Sequence, residues 1–360
     1  MTINQVNLHR NYTHNKENID LAIADCIASS SFINGEYVSK FEIAFAKYTE
    51  SESCAGVASG TSALHLSLLA LGIGPGDEVL VPSLTFFATA EAVNQVGATP
   101  VFIDIDEFYL FDLSRAINSI TNKTVAIITV DLYGQTLDNQ KVREFCNTHN
   151  LYFIQDCAHS PGAKYNGYSV SRFSDLACWS FYPGKNLDCM GDGGAVTGNT
   201  NLINKVQYLK DHARTKRYTH TSIGWSSRLD GIQAAILIEK LKLLDAENQL
   251  RRMHAKFYDN ALTKLPVVLP KSNVHSYHVY HQYVIQTNRR DELLEYARIN
   301  DIILGIHYPV PCHLQPVYNT NQTLAVSENI AETCISLPVH PYLLAQEQEY
   351  IVNTLNKFFN

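Results

Sequence analysis

The chain has 360 residues, 46% of them hydrophobic and 18% charged, enough apolar material for one large domain or two of ordinary size and too much for a disordered protein. Lys and Arg together number 28 against 35 Asp and Glu, a net charge of −7 that gives no basic face for a nucleic-acid backbone, so an anionic ligand has to be met by a local site. The N-terminus lacks a basic stretch followed by an apolar run, no segment approaches the roughly 18 apolar residues of a membrane span, and the eight cysteines form no CxxC pair, so a cytoplasmic chain with reduced, buried thiols is expected.

Apolar runs alternate with helix-like segments along most of the chain, the pattern of a mainly parallel sheet covered by helices. Strands are expected at 55–57, 78–81, 99–104, 125–130, 152–156, 176–180 and 194–197. Several are apolar nearly throughout, as strands with both faces covered are. Apolar spacing predicts helices at 62–71, 88–96, 137–149 and 202–212. Beyond about residue 240 the texture changes. A long helix over 232–252 is followed by a strand at 279–286, a helix at 289–300, a strand at 302–307 and a terminal helix at 346–358. The division expected is a large domain over 1–245 and a smaller α+β domain over 246–360.

Four segments carry candidate chemistry. Ser59-Gly60-Thr61-Ser62-Ala63-Leu64 joins a short strand to a helix, where free N–H groups and the helix dipole suit a phosphate; Thr61 or Ser62 acting only as a helix cap explains it equally well. Gly72-Ile73-Gly74-Pro75-Gly76 follows a helix and precedes a strand, the reverse of a dinucleotide-binding turn, and reads as a helix end. Asp156, in Asp156-Cys157-Ala158-His159, closes an apolar strand at the edge where open α/β sheets bind ligands, although an Asp there can also cap a helix. Lys185, in Ser180-Phe181-Tyr182-Pro183-Gly184-Lys185, stands just past a Pro-Gly turn among aromatics, where partial burial would lower its pKa and free its amine; a solvated lysine is the plainer alternative. A phosphate-binding helix start, an Asp at one strand end and a Lys beyond another meet the needs of pyridoxal phosphate (PLP): donors for the phosphate, a carboxylate for the ring nitrogen and an amine for the aldehyde.

With these segments, Thr85-Phe86-Phe87-Ala88-Thr89, Leu132-Tyr133-Gly134-Gln135, Arg228-Leu229-Asp230-Gly231-Ile232-Gln233-Ala234-Ala235 and His307-Tyr308-Pro309 follow one another over nearly the whole chain as in the DegT/StrS family of PLP-dependent nucleotide-sugar aminotransferases, which the sequence resembles. The resemblance implies the aspartate aminotransferase fold (fold type I), with a mainly parallel seven-stranded sheet, and a homodimer with active sites at the subunit boundary. It also implies roles. Lys185 resembles the Schiff-base lysine and proton shuttle, Asp156 the partner of the pyridinium nitrogen, His159 a residue beside the ring, and Phe86 the aromatic stacked on it. Gly60, Thr61, Ser62 and Ser180 resemble the phosphate cradle. Ser226 stands where the family usually has an Asn that reaches across the dimer to the phosphate, and Asp131 stands where His is frequent. Arg228, His307 and Tyr308 are expected near the sugar substrate. The basic run Arg214-Thr215-Lys216-Arg217 either meets a nucleotide diphosphate or is a solvated loop. No metal site is expected.

The implied reaction is a ping-pong transamination. L-glutamate leaves its amino group on the cofactor as pyridoxamine phosphate, which passes it to a ketone of a nucleotide-diphosphate hexose in amino-sugar biosynthesis for a surface polysaccharide or glycoconjugate. Residues 216–220 and 307–309 resemble members acting at C-3 more than those acting at C-4, which is the alternative. A sugar dehydratase of the same fold would carry His in place of Lys185. A non-catalytic regulatory protein would not need Asp156, Ser180 and Lys185, and a nicotinamide-dependent oxidoreductase would need a glycine fingerprint that is not correctly placed here.

Overall fold

The computed structural model describes residues 2–318 and 320–360. Three helices open the chain: α1 (Leu8–His14), α2 (Lys16–Ala28) and α3 (Gly35–Tyr48). None of the three is among the expected elements. Then come β1 (Ser53–Val57), α4 (Gly60–Ala70), β2 (Glu78–Pro82), α5 (Ala88–Gln95), β3 (Thr99–Ile103), β4 (Thr124–Val130), α6 (Asn139–His149), β5 (Tyr152–Asp156), β6 (Leu176–Ser180), β7 (Gly194–Gly198) and α7 (Thr200–Lys210). Asp138 and Asn199 cap α6 and α7 by accepting the N–H groups of Lys141 and Leu202, so both helices start later or earlier than their apolar spacing indicates.

These seven strands form one sheet in the order β1-β7-β6-β5-β4-β2-β3, as expected of a mainly parallel sheet. Only β7 runs against the rest, paired antiparallel with β1 on one side and β6 on the other. Side chains alternate across it with period two. Val79, Val81, Ala126, Ile128, Ile154 and Cys178 enter a core shared with α4 and α5. Leu80, Ile127 and Phe153 point the other way toward α6, and Ala177 and Trp179 toward α3. Both faces are covered, which is why these strands read as unbroken apolar runs.

The helix expected over 232–252 is two helices, α8 (Gly231–Leu241) and α9 (Leu244–Ala261). At the break the Leu243 N–H bonds to the Lys240 carbonyl at 3.0 Å, a tighter i→i−3 turn. The turn lets Leu244 finish the core beside the sheet while Ala255 and Tyr258 enter a second core. That second core packs α9, α10 (Arg290–Ile299) and α12 (Ala345–Phe359) on a two-stranded antiparallel ladder, β8 (Tyr283–Gln286) with β9 (Cys334–Leu337). α11 (Ala325–Thr333) leads into β9. The strand expected over 302–307 is instead an extended segment with isolated bridges at Ile302 and Gly305, and β9 takes the place beside β8.

The N-terminal segment crosses between the two cores. The N–H of Ile3 donates to Asp301 O at 2.8 Å, and the Ile3 side chain joins the second core. Gln5 donates through Nε2 to Gln282 Oε1 at 2.8 Å, and Arg10 grips Glu347 with both terminal nitrogens at 2.6 and 2.8 Å.

Candidate active site

The C-terminal ends of β1, β2, β4, β5 and β6 lie along one edge of the sheet, and the segments leaving them line a cavity of about 790 Å³. From β1 the chain turns at Ser59, whose extended backbone lets its hydroxyl accept the Ser62 N–H at 3.0 Å and cap α4. The cap is therefore Ser59, not Thr61 or Ser62. Ser62 spends its N–H on that bond and does not line the cavity, whereas Gly60 and Thr61 line it with first-turn N–H groups free of helix partners. A Cβ on Gly60 would sit 2.7 Å from Ser180 Cβ, so only glycine lets the helix start press against the end of β6. That leaves two N–H groups, the positive end of a helix and the Ser180 hydroxyl at one end of the cavity, a donor set that fits a phosphate.

Asp156 ends β5 and is buried. Its Oδ1 accepts the Ala158 N–H at 3.1 Å and its Oδ2 the Thr89 hydroxyl at 2.9 Å, with Thr85 and Thr89 hydroxyls 3.0 Å apart behind it. Burial pushes the carboxyl above its usual range, against the pull of those donors and of Lys185. The environment thus favours a cation set against Asp156, as a protonated ring nitrogen would be. Lys185 lines the same cavity, and burial brings its ammonium down from 10.5 to about 8 while Asp156 pulls upward. The lysine loop is anchored from beneath: Asp188 accepts the Gly184 N–H at 3.0 Å and pairs with Lys240 of α8, both side chains buried.

Phe86 stands 57% exposed over the cavity with its ring centroid 5.8 Å from that of Tyr308. His159 and His307 also line it. His307 Nδ1 lies 2.9 Å from Ser336 Oγ, and burial with the nearby Lys185 lowers its pKa to about 4. His313, which flanks the same stretch, lies elsewhere: buried, it bridges Ser83 Oγ at 2.5 Å and Glu328 Oε1 at 3.2 Å.

Ser226 and Arg228 lie outside this cavity. They line a smaller one of about 420 Å³ that shares Ala58 and Asp192 with it. Arg228 pairs with Asp211 at 2.5 Å and donates to Ser226 Oγ at 3.0 Å. The basic run 214–217 is an exposed hairpin with Arg214 also bound to Asp211 at 2.5 Å.

The sequence reading misses His281, Gln282, Tyr182, Asp192 and Val6, all of which line the larger cavity. His281 falls inside the strand expected over 279–286. The sheet ladder begins only at Tyr283, because Val279 and Gln282 give their N–H groups to the carbonyls of Gly134 and Tyr133 at 2.9 and 3.3 Å. Gly134 is at φ +102°, and a Cβ there would meet Val279 Cγ2, His281 N and His159 O at 2.9–3.1 Å. This turn clips the segment after β4 to the segment before β8.

Residues 13–356 match the model of the DegT/DnrJ/EryC1/StrS aminotransferase family. The chain is 39% identical to a UDP-N-acetyl-3-dehydro-alpha-D-glucosamine 3-aminotransferase of Acidithiobacillus ferrooxidans, over 99% of this chain and 97% of that protein. It is 38% identical to a pleiotropic regulatory protein of Geobacillus stearothermophilus, over 100% and 99%. The crystal structure of S. venezuelae DesV in complex with a ketimine intermediate superposes with a TM-score of 0.97 at 37% identity, covering 100% of this chain and 99% of that one. The chain belongs to the DegT/DnrJ/EryC1/StrS family and is a pyridoxal-phosphate-dependent aminotransferase.

Proposed function

We propose that this enzyme transfers the amino group of L-glutamate to the C-3 ketone of a nucleotide-diphosphate hexose, supplying an amino sugar for a surface polysaccharide or glycoconjugate. The observation that carries the reading is that Lys185, Asp156 and the N-terminus of α4 share one cavity with donors suited to PLP. The choice of C-3 over C-4 leans on the resemblance of residues 216–220 and 307–309 and on the reaction named for the Acidithiobacillus relative.

Bound PLP supplies an aldehyde for the amine and a protonated ring that withdraws electrons from the α-carbon. The protein holds and drives it. Gly60 and Thr61 N–H groups and the Ser180 hydroxyl bind the phosphate. Phe86, exposed at the cavity wall, would stack on the ring and orient it. Asp156 keeps the proton on the ring nitrogen, its carboxylate fixed by Thr89 and Ala158. Lys185 would hold the aldehyde of the bound cofactor, and its neutral amine would take the proton from the α-carbon of glutamate and return one to the sugar carbon. With a pKa near 8 it has a usable neutral fraction close to pH 7.

His307 and Tyr308 line the sugar end. Arg228 meets the diphosphate from the smaller cavity, which a second copy of the chain completes in a homodimer, with Ser226 facing the phosphate of the neighbouring site. A regulatory role of the kind named for the Geobacillus relative is not favoured, because it leaves the lowered lysine and the donor-fixed Asp156 without a use.

The test is borohydride reduction of the PLP-loaded enzyme, which should fix the cofactor on Lys185, followed by incubation with L-glutamate and a panel of 3-keto and 4-keto nucleotide sugars. NMR then locates the new amine. Amination of 4-keto sugars alone would overturn the C-3 assignment, and a chain that takes up no PLP would overturn the whole reading.

A further inference from the structure

Outside the cavity, Ser83, His313 and Glu328 stand in a line: His313 Nδ1 lies 2.5 Å from Ser83 Oγ and its Nε2 3.2 Å from Glu328 Oε1. As a carboxylate Glu328 can only accept, so Nε2 carries the hydrogen and Nδ1 accepts from the Ser83 hydroxyl. This is the connectivity of a serine hydrolase relay. Ser83 and His313 are both fully buried, however, and neither lines the cavity, so no carbonyl of a substrate can reach the hydroxyl. The line of bonds therefore has a mechanical use.

Its two ends are firmly held. Ser83 follows directly on β2, and its N–H donates to the Ile103 carbonyl of β3 at 2.8 Å. Glu328 lies in the first turn of α11, where Val326 and Ser327 give their N–H groups to Asp104, the residue after β3, at 3.1 and 2.8 Å. His313 stands between them on a segment with little regular structure of its own: from 303 to 324 the described residues form no strand and only a single helical turn, Cys312–Leu314. That segment meets the one leaving β2 at two further points, the Cys312 N–H on the Ser83 carbonyl at 2.8 Å and the Cys312 thiol on the Thr85 carbonyl at 3.6 Å. Beyond these contacts each segment carries one aromatic ring of the cavity wall, Phe86 on the sheet side and Tyr308 on the irregular side, with centroids 5.8 Å apart.

We propose that His313 is a positioning residue for the sugar half of the reaction: anchored to Ser83 and Glu328, it fixes where Tyr308 stands opposite Phe86, and so the width of the opening that the keto sugar occupies. In naming the sugar the proposal rests on the function read above, whereas the hold of His313 on Tyr308 does not. Without this brace the sheet still keeps Ser83, Phe86 and the Thr89–Asp156 pair in place, and the segment that carries Tyr308 is the part left to move. Glutamate is smaller than a nucleotide-linked hexose and reaches less of that wall, so the loss falls on the sugar. Misplacing an aligned group by about 1 Å can cost up to about a hundredfold in rate.

Crystal structures of PLP-loaded wild type, Ser83→Ala, His313→Leu and His313→Asn test the mechanical part whatever the substrate. The separation of the Phe86 and Tyr308 rings should change by about 1 Å in Ser83→Ala and His313→Leu, and return in His313→Asn, whose amide oxygen takes the place of Nδ1 opposite the Ser83 hydroxyl. Steady-state kinetics of the same proteins test the chemical part. Losing one buried hydrogen bond should raise the KM of the keto nucleotide sugar about three- to tenfold in Ser83→Ala, with the KM of L-glutamate and the binding of PLP within about twofold of wild type. Rings that stay where they are, or rings that move while the sugar KM does not, overturn the proposal. So do equal losses for both substrates, which mark a general loss of packing. Ser83→Ala removes a single atom and keeps the proposal testable where His313→Leu does not fold. A wild type that aminates no keto nucleotide sugar would strike the functional reading and leave the brace to be judged by the ring separation.

Discussion

Replacing Lys185 with methionine should change how stability depends on pH, by an amount that follows from its burial. In the folded cofactor-free chain the ammonium titrates near 8, against 10.5 for an ordinary lysine. At 1.36 kcal/mol for each pKa unit, the folded state carries a cost of about 3 kcal/mol when the lysine is charged. Below about pH 8 both folded and unfolded chains hold the proton, so the full cost is present. Between about pH 8 and 10.5 the unfolded chain holds it and the folded chain does not, and wild-type stability rises with pH. Lys185→Met has no such proton to lose. The stability of the variant minus that of wild type should therefore shrink by roughly 2–3 kcal/mol from pH 7 to pH 10. Urea titrations of both cofactor-free proteins across that range measure it, and the difference cancels every other titrating group except those coupled to Lys185, chiefly Asp156. A flat difference would mean that Lys185 is not held in a desolvated site, and the account of its free amine would fail.

Asp156→Asn keeps the size of the side chain and loses its charge, so the variant should still bind PLP while its turnover falls by about 10²–10⁴; steady-state kinetics within tenfold of wild type would contradict the role given to Asp156. Lys240→Met leaves Asp188 buried and unpaired beneath the lysine loop and should cost about 3–5 kcal/mol in urea unfolding, most of which the double variant with Asp188→Asn should recover. Gly134→Ala forces a Cβ to within 2.9–3.1 Å of three atoms at a positive φ and should cost about 2–5 kcal/mol, read as a lowered denaturation midpoint.

The large sheet was legible because its strands are covered on both faces and so are apolar at nearly every position, as Ile127, Ile128, Phe153 and Ile154 illustrate. Lys185 and Asp156 were legible from their places just beyond strand ends. What stayed hidden depends on contacts between distant segments. No glycine or proline marks the break between α8 and α9; the break exists because Leu244 and Tyr258 belong to different cores. The apolar run at 302–307 suits a strand as well as Cys334–Leu337 does, and only the pairing with β8 decides between them. Ser62 looked as good a phosphate donor as Thr61 until Ser59 took its N–H. His281 was concealed inside a strand-like run that the Gly134 turn pulls out of its ladder.

The path of the N-terminal segment bears on the order in which the molecule is completed. Thr2 bonds to Asp301 and Arg10 to Glu347, separations of 299 and 337 residues. During synthesis Thr2 and Arg10 therefore wait for partners made much later in the chain. Val6, which lines the cavity beside Gly184, cannot be held in place until Ile3 and Arg10 have their partners. Contacts this far apart in sequence form late, because the loops they close must be ordered first. The seven-stranded sheet is complete by Gly198, but the wall of the active site is not. A chain released short of Glu347 would hold Lys185 and lack the means to enclose the cavity that it lines.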